Sequence, residues 1–211
     1  MGSASNIPSD EEIFLAKEYV GYENIIISDK NIDLRKSEID LGGIAKGYAA
    51  DRFVFLAKEN SIESAMGSFG GMVAVVGTKP NGSPWKIAIR DPMGNGFAAI
   101  LNVSDVCIST SGAYERYFTF EGKVYHHILD PKTGYPAESD LLSATVINEN
   151  GTKADALSTA LFVMGESKAV DFCEENGICA VLITKDNRIV SLCGAEVLLS
   201  DISEDYIHDN T

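Results

Sequence analysis

Hydrophobic residues recur along this chain at two spacings, every second position in short runs and every third or fourth in longer ones, which predicts short strands interrupted by four helices. Ser9-Asp10-Glu11-Glu12 has the Ser-x-x-Glu form of a capping box after Pro8. Ile13, Leu15, Ala16 and Val20 follow it, so a short helix starts there. Residues 22–28, with three successive isoleucines, read as a strand, and a second short strand contains Ile32 and Leu34. From Gly42 to about Glu59, two glycines open a segment of helix-compatible spacing. Further strands are predicted at 72–76, 85–89, 97–103, 106–109 and 141–147, with a hairpin of 114–120 and 123–129 turning at Glu121-Gly122. Residues 152–164 and 167–176 read as two successive helices, 180–184 and 188–193 as a closing hairpin, and the acidic tail from Ser203 as frayed.

Strands and helices mix without strict alternation, and several strand pairs are joined by short turns. This predicts an α+β fold of mixed, largely antiparallel sheets with packed helices rather than a doubly wound parallel sheet. No internal repeat, low-complexity tract or clear linker divides residues 1–211, which read as one domain.

Composition narrows the partners. With 45% hydrophobic and 23% charged residues the chain has an ordinary globular make-up, and no apolar run approaches the roughly 18 residues of a membrane span. A formal charge of −14 repels nucleic acid and anionic membrane surfaces. An anionic ligand must then be held locally, by helix N-termini, glycine amides or a metal. Cys107, Cys173, Cys179 and Cys193 show no zinc-ligand spacing; Cys107, Cys179 and Cys193 have apolar neighbours and read as buried thiols. Residues 1–5 have neither the basic start nor the apolar stretch of a signal peptide.

Several constellations carry candidate chemistry. Asp40-Leu41-Gly42-Gly43-Ile44-Ala45-Lys46-Gly47 puts glycine amides and a lysine at a helix start, where they can seat a pyrophosphate; it fits neither the P-loop nor the Rossmann pattern. Read as plain structure it is a tight turn, with Asp51 an ordinary surface charge. Asp155 and Thr159, four apart on a helix, present a carboxylate and a hydroxyl on one face and suit Mg²⁺; equally, Thr152 and Asp155 form a capping box. In His126-His127-Ile128-Leu129-Asp130-Pro131-Lys132-Thr133-Gly134, strand alternation lets one histidine face a site while the other packs, beside good turn chemistry. Ser109-Thr110-Ser111-Gly112, directly after a strand, can offer hydroxyls and amides to a ligand, and Ser68-Phe69-Gly70-Gly71 marks a close backbone approach or a bulge.

Taken in order, Asp-Leu-Gly-Gly-Ile-Ala-Lys-Gly-Tyr-Ala-Ala-Asp, Phe-Gly-Gly, Thr-Ser-Gly, His-His-Ile-Leu-Asp-Pro-Lys-Thr-Gly and Ala-Asp-Ala-Leu-Ser-Thr-Ala resemble the FAD:protein FMN transferase, or ApbE, family over nearly the whole chain. The resemblance implies a Mg²⁺ held by Asp155, Thr159 and the carbonyl of Gly43. It further implies Lys46 beside the pyrophosphate of the substrate FAD, Ser111, Gly112 and Leu129 as flavin-nucleotide contacts, and His127 as general base. The implied reaction transfers FMN to a Thr or Ser hydroxyl of an acceptor, in this family a small flavin-carrying subunit of a membrane redox complex, and releases AMP. Water in place of that hydroxyl would make the protein an FAD pyrophosphatase, and a third reading is an inactive flavin-binding fragment. Relatives are often exported or held at a membrane by a lipid, which is the expectation for the parent protein. The family pattern also differs here: its segment before the helix near Pro8 is missing from this sequence, and Ser68, Met72 and Ala113 replace its frequent polar or acidic residues.

Overall fold

A seven-stranded sheet covered on both faces organises the chain. The computed structural model describes residues 7–210, so the reading of residues 1–5 lies outside it. After helix α1 (Asp10–Lys17) and the exposed hairpin β1 (Ile26–Ser28) and β2 (Asn31–Asp33) comes helix α2 (Ala45–Glu59). Strands β3 (Ala65–Phe69), β4 (Met72–Val76), β5 (Trp85–Arg90), β6 (Phe97–Val103) and β7 (Cys107–Gly112) follow, then β8 (Tyr117–Phe120), β9 (Lys123–His126) and β10 (Leu141–Asn148). Helices α3 (Gly151–Met164) and α4 (Glu166–Asn176) precede β11 (Ala180–Thr184), β12 (Arg188–Leu192), β13 (Leu199–Ile202) and β14 (Ile207–Asn210). The large sheet runs β14-β12-β11-β10-β7-β4-β3, antiparallel throughout except for the β12–β14 pair; a smaller sheet, β13-β6-β5, lies apart from it.

Alternation along the central strands feeds two cores. In β11, Ala180 and Leu182 join Leu161, Phe162 and Cys173 on the helix side, while Val181 and Ile183 join Ile87, Leu101 and Ile189 on the side of the smaller sheet. A strand buried on both faces is apolar almost throughout, which is why β11 reads Ala-Val-Leu-Ile before the buried Thr184, whose hydroxyl accepts from the Arg188 N–H. The α+β expectation holds.

Several boundaries differ from the sequence reading. Residues 22–24 form a 3₁₀ turn, so β1 starts only at Ile26. Strand β7 extends through Gly112, because β10 pairs with it from Ser143↔Gly112 to Asn148↔Cys107; the Ser-Thr-Ser-Gly run lies within a strand, not after it. Gly70-Gly71 is no bulge: with φ of 60° and 95° and Phe69 paired to Met72, it is a two-residue hairpin turn. The tail is not frayed. Residues 207–210 pair with β12, and Tyr206, 8% exposed, reaches Asp91 at 2.5 Å. Acidic composition misled there because one buried tyrosine and one strand's pairing outweigh it. Cys107 and Cys173 are buried free thiols, Cys179 is half-buried, and Cys193 is exposed, contrary to the apolar context around it.

Helices α2 and α3 meet backbone to backbone. A methyl group on Gly47 would lie 2.3 Å from the Gly151 carbonyl oxygen, and one on Gly151 would lie 2.7 Å from that of Gly47. Helix propensity alone favours Gly47→Ala by roughly 1 kcal/mol. The obstacle here is main chain, which cannot swing aside, so overpacking at about 1–3 kcal/mol should win. Gly47→Ala is expected to lower stability in a urea unfolding curve; an unchanged or higher midpoint would refute the crossing.

Candidate active site

The crossing brings two helix N-termini together, and a carboxylate from each helix answers the other. Asp155, 1% exposed on α3, accepts the Gly47 N–H of α2 on Oδ2 at 2.9 Å. Asp51 of α2 accepts the Gly151 and Thr152 N–H groups of α3, at 2.5 and 2.9 Å, and the Thr152 hydroxyl at 2.6 Å. The helix cap of α3 is Asn150, whose side chain accepts from the Lys153 N–H, so Thr152 caps nothing and Asp51 is no ordinary surface charge.

The second oxygen of Asp155 points elsewhere. Its Oδ1 accepts from Ser109 Oγ at 3.1 Å and pairs with Lys46 Nζ at 2.9 Å, while the same ammonium donates to the Gly42 carbonyl at 3.1 Å. Ser109 and Ser111, two apart on β7, face α3 together, whereas Thr110 faces away to Thr145. From Asp155 a line of hydroxyls runs through Ser109, Ser158 and Ser111 to Thr159, with steps of 3.2, 2.9 and 3.0 Å. A carboxylate only accepts, so Ser109 gives it its proton. Ser158 donates to Ser109 or to the Asp155 carbonyl, which leaves Ser111 to donate to Ser158 and Thr159 to Ser111. The lone pairs of Thr159 are thereby left for another partner.

Thr159 opens on a cleft of about 560 Å³ whose wall includes Gly43, Ile44, Leu129 and Ala160. Among the described residues no group of three or more His, Cys, Asp or Glu side chains is placed to hold a metal. A cation here would have one carboxylate, a hydroxyl and main-chain carbonyls, a hard oxygen set that suits Mg²⁺. In this structure the cation beside Asp155 is the Lys46 ammonium, which meets the Gly42 carbonyl rather than the Gly43 carbonyl of the expected ligand set. The Phe-Gly-Gly turn backs the lysine: Phe69 packs edge-on against Phe53 of α2, and a Cβ on Gly70 would lie 3.8 Å from the Lys46 Cδ.

His127 and Leu129 are exposed and Ile128 between them is buried. Leu129 belongs to the cleft wall, whereas His127 lines a different cavity of about 570 Å³ with Arg116, Tyr117 and Tyr125, which shares no wall residue with the cleft. Its Nδ1 lies 3.1 Å from the Arg116 carbonyl, which can only accept; Nδ1 therefore holds the proton and Nε2 is left as the basic nitrogen. Asp130 and the residues after it form the expected turn, with Asp130 Oδ1 accepting from the Lys132 N–H at 2.8 Å.

The predicted residues thus fall into groups. Lys46 and Asp155 touch, Ser111 touches Thr159, and Gly43, Leu129 and Thr159 share the cleft, while Gly112 is buried in the ladder with β10. Ser68 is exposed and Met72 belongs to the core. Sequence reasoning counted Ser109 only among hydroxyls that could meet a ligand, gave Ser158 no role and read Asp51 as a surface charge. The even spacing of Ser109 and Ser111 within a strand was the available signal for the first, and the repeated Gly-x-x-x-Asp of residues 47–51 and 151–155 for the last.

The ApbE family model matches residues 1–183. The FAD:protein FMN transferase of Treponema pallidum is 39% identical over 168 residues, covering 74% of this chain and 46% of that protein. The Escherichia coli K12 enzyme of the same description is 34% identical over 188 residues, covering 85% and 54%. The chain therefore spans about half the length of the curated relatives it matches. Among solved structures, the ApbE protein of Thermotoga maritima superposes with a TM-score of 0.85 at 39% identity, over 93% of this chain and 65% of that one. The apo flavinyl transferase ApbE of Pseudomonas stutzeri gives 0.82 at 32%, over 96% and 65%.

The second histidine of the pair is a packing residue. His126 sets its ring edge-on to Phe162 at 5.9 Å, and its Nε2 lies 3.2 Å from the Ala137 carbonyl. Burial lowers its pKa from the ordinary 6.5, and the Ala137 carbonyl opposes the shift in part. Because the folded value is depressed, the neutral ring's contribution to stability is present above about pH 6.5 and is lost as pH falls toward the folded value. Wild-type protein should lose stability relative to His126→Phe on going from about pH 7 to pH 5, read by chemical unfolding. Parallel curves for the two proteins would contradict this assignment.

Proposed function

The chain belongs to the ApbE family, and on that premise we propose that it transfers FMN from FAD to a Thr or Ser hydroxyl of an acceptor flavoprotein, releasing AMP. The observation that carries the reading is the buried Asp155 carboxylate, with one oxygen tied to a helix N-terminus and the other turned to an ammonium group beside an open cleft. An unpaired charge in that position would be costly, and the Lys46 ammonium that pairs it supports reading the position as one that takes a positive charge.

Asp155, Thr159 and the Gly43 carbonyl would hold Mg²⁺, which when bound would neutralise the pyrophosphate. With a divalent ion on the carboxylate, Lys46 would be released from Asp155 to reach the phosphates at the start of α2. The cleft wall around Leu129 and Gly43 receives the nucleotide, and Ser111 keeps Thr159 oriented. His127 Nε2 takes the proton of the acceptor hydroxyl. The acceptor oxygen bonds to the FMN phosphorus as the bond from that phosphorus to the bridging oxygen breaks, and AMP leaves with that oxygen. Such a step depends above all on positioning and charge. We take the acceptor to be a flavin-carrying subunit of a membrane redox complex, and the parent protein to act outside the cytoplasm or at a membrane through a lipid.

Incubation with FAD, Mg²⁺ and an acceptor subunit should add the mass of FMN less water to the acceptor and release AMP. Free FMN with no gain in acceptor mass would replace transfer by FAD pyrophosphatase activity, and intact FAD would leave flavin binding alone. His127→Ala is expected to slow transfer about 10²- to 10⁴-fold with FAD affinity kept, by rate and equilibrium titration. Lys46→Met should weaken FAD binding yet tighten Mn²⁺ binding measured without FAD, since it removes the competing ammonium. Weaker Mn²⁺ binding would show that Lys46 does not occupy the cation's place.

A further inference from the structure

Asp51 takes no part in the chemistry above, yet the helix that carries the cation ligands hangs from it. The first N–H groups of any helix lack partners within it, and an anion beside them is favoured by the helix dipole. In α3 the first two N–H groups, of Gly151 and Thr152, go to the Asp51 carboxylate, and the Thr152 hydroxyl joins them. Gly151, Asp155 and Thr159 are spaced four apart and form one stripe along α3, so the group that Asp51 grips starts the very row that carries both side-chain ligands.

The return connection closes a square. Asp155 accepts the Gly47 N–H, and Gly47 stands four residues before Asp51 on α2. Two Gly-x-x-x-Asp segments thus cross glycine to glycine, each aspartate holding the other's glycine N–H. The two carboxylates are not equivalent. Both oxygens of Asp51 are used by α3, whereas Asp155 keeps one oxygen for Ser109 and Lys46.

Resting on the cation site proposed above, we propose that Asp51 is a positioning residue for that site: its grip on the first turn of α3 sets the height and rotation at which Asp155 and Thr159 meet a divalent cation. It is not itself a ligand. Asparagine at this position would keep one acceptor but turn amide hydrogens toward an N–H donor, loosening the first turn of α3.

The test is Mn²⁺ binding to the FAD-free protein, by electron paramagnetic resonance titration, for wild type and Asp51→Asn. The Kd is expected to rise about 10- to 100-fold, the usual effect of losing a group that orients metal ligands. In turnover, the Mg²⁺ concentration for half-maximal rate should rise more than the maximal rate falls. A purely structural role predicts a lower unfolding midpoint with unchanged Mn²⁺ affinity of the folded protein, and that result overturns the proposal. Should Asp51→Asn fail to fold, Thr152→Val removes one of the three bonds and leaves the carboxylate; its Kd should rise about two- to tenfold, and an unchanged value again overturns the proposal. Wild-type protein that takes up no Mn²⁺ overturns the cation site and this inference with it, whereas normal wild-type binding with unchanged variants overturns this inference alone.

Discussion

Two helices can touch main chain to main chain only where both lack side chains, and the crossing of Gly47 on Gly151 is the constraint on which the candidate site depends. It places the N-termini of α2 and α3 close enough for Asp51 and Asp155 to exchange hydrogen bonds between the helices. A larger residue at either glycine would separate the ends, and each carboxylate would then lose a helix N–H partner, at the greater cost for the buried Asp155. The same contact sets where Lys46, one residue before Gly47, can reach.

The arrangement shows how a strongly acidic chain could present the site proposed here for an anionic nucleotide. Net charge acts over distances that salt screens, whereas the cleft is governed by groups within a few ångströms. Those groups are the Lys46 ammonium, the opening of α2 and the Asp155 carboxylate. The hydroxyl line from Asp155 to Thr159 works at the same range. The carboxylate fixes the proton of Ser109, and the Ser109 hydroxyl or the Asp155 carbonyl takes that of Ser158, which leaves Thr159 as an acceptor at the cleft.

The sheet supplies rigidity beneath these polar groups. Strand β7 carries Ser109 and Ser111 and is paired with β10 along its whole length, while β4 joins its other edge at Cys107 and Ile108. Its serines therefore cannot shift without breaking the ladder to β10. His127 follows β9 of a separate two-stranded hairpin, outside the large sheet. The proposed base and the proposed cation site thus rest on different parts of the fold.

What the sequence by itself determined is local. The capping box before α1, the strand alternation at 97–103 and 180–184, the Gly-Gly entry to α2 and the Asp155–Thr159 spacing all depend on neighbours within a few residues, and periodicity reports such neighbours directly. The ordered motifs added a family resemblance that the comparisons bear out. Tertiary structure alone decided the rest. Asp51 looks like any surface charge until α3, a hundred residues later in the chain, offers it N–H groups. Ser109 and Ser158 look like ordinary polar residues until β7 and α3 meet, and residues 207–210 look like a loose acidic end until β12 gives them a strand to pair with. In each case the deciding partner lies far off in sequence, and a hydrogen bond's energy depends on where its partner sits in space.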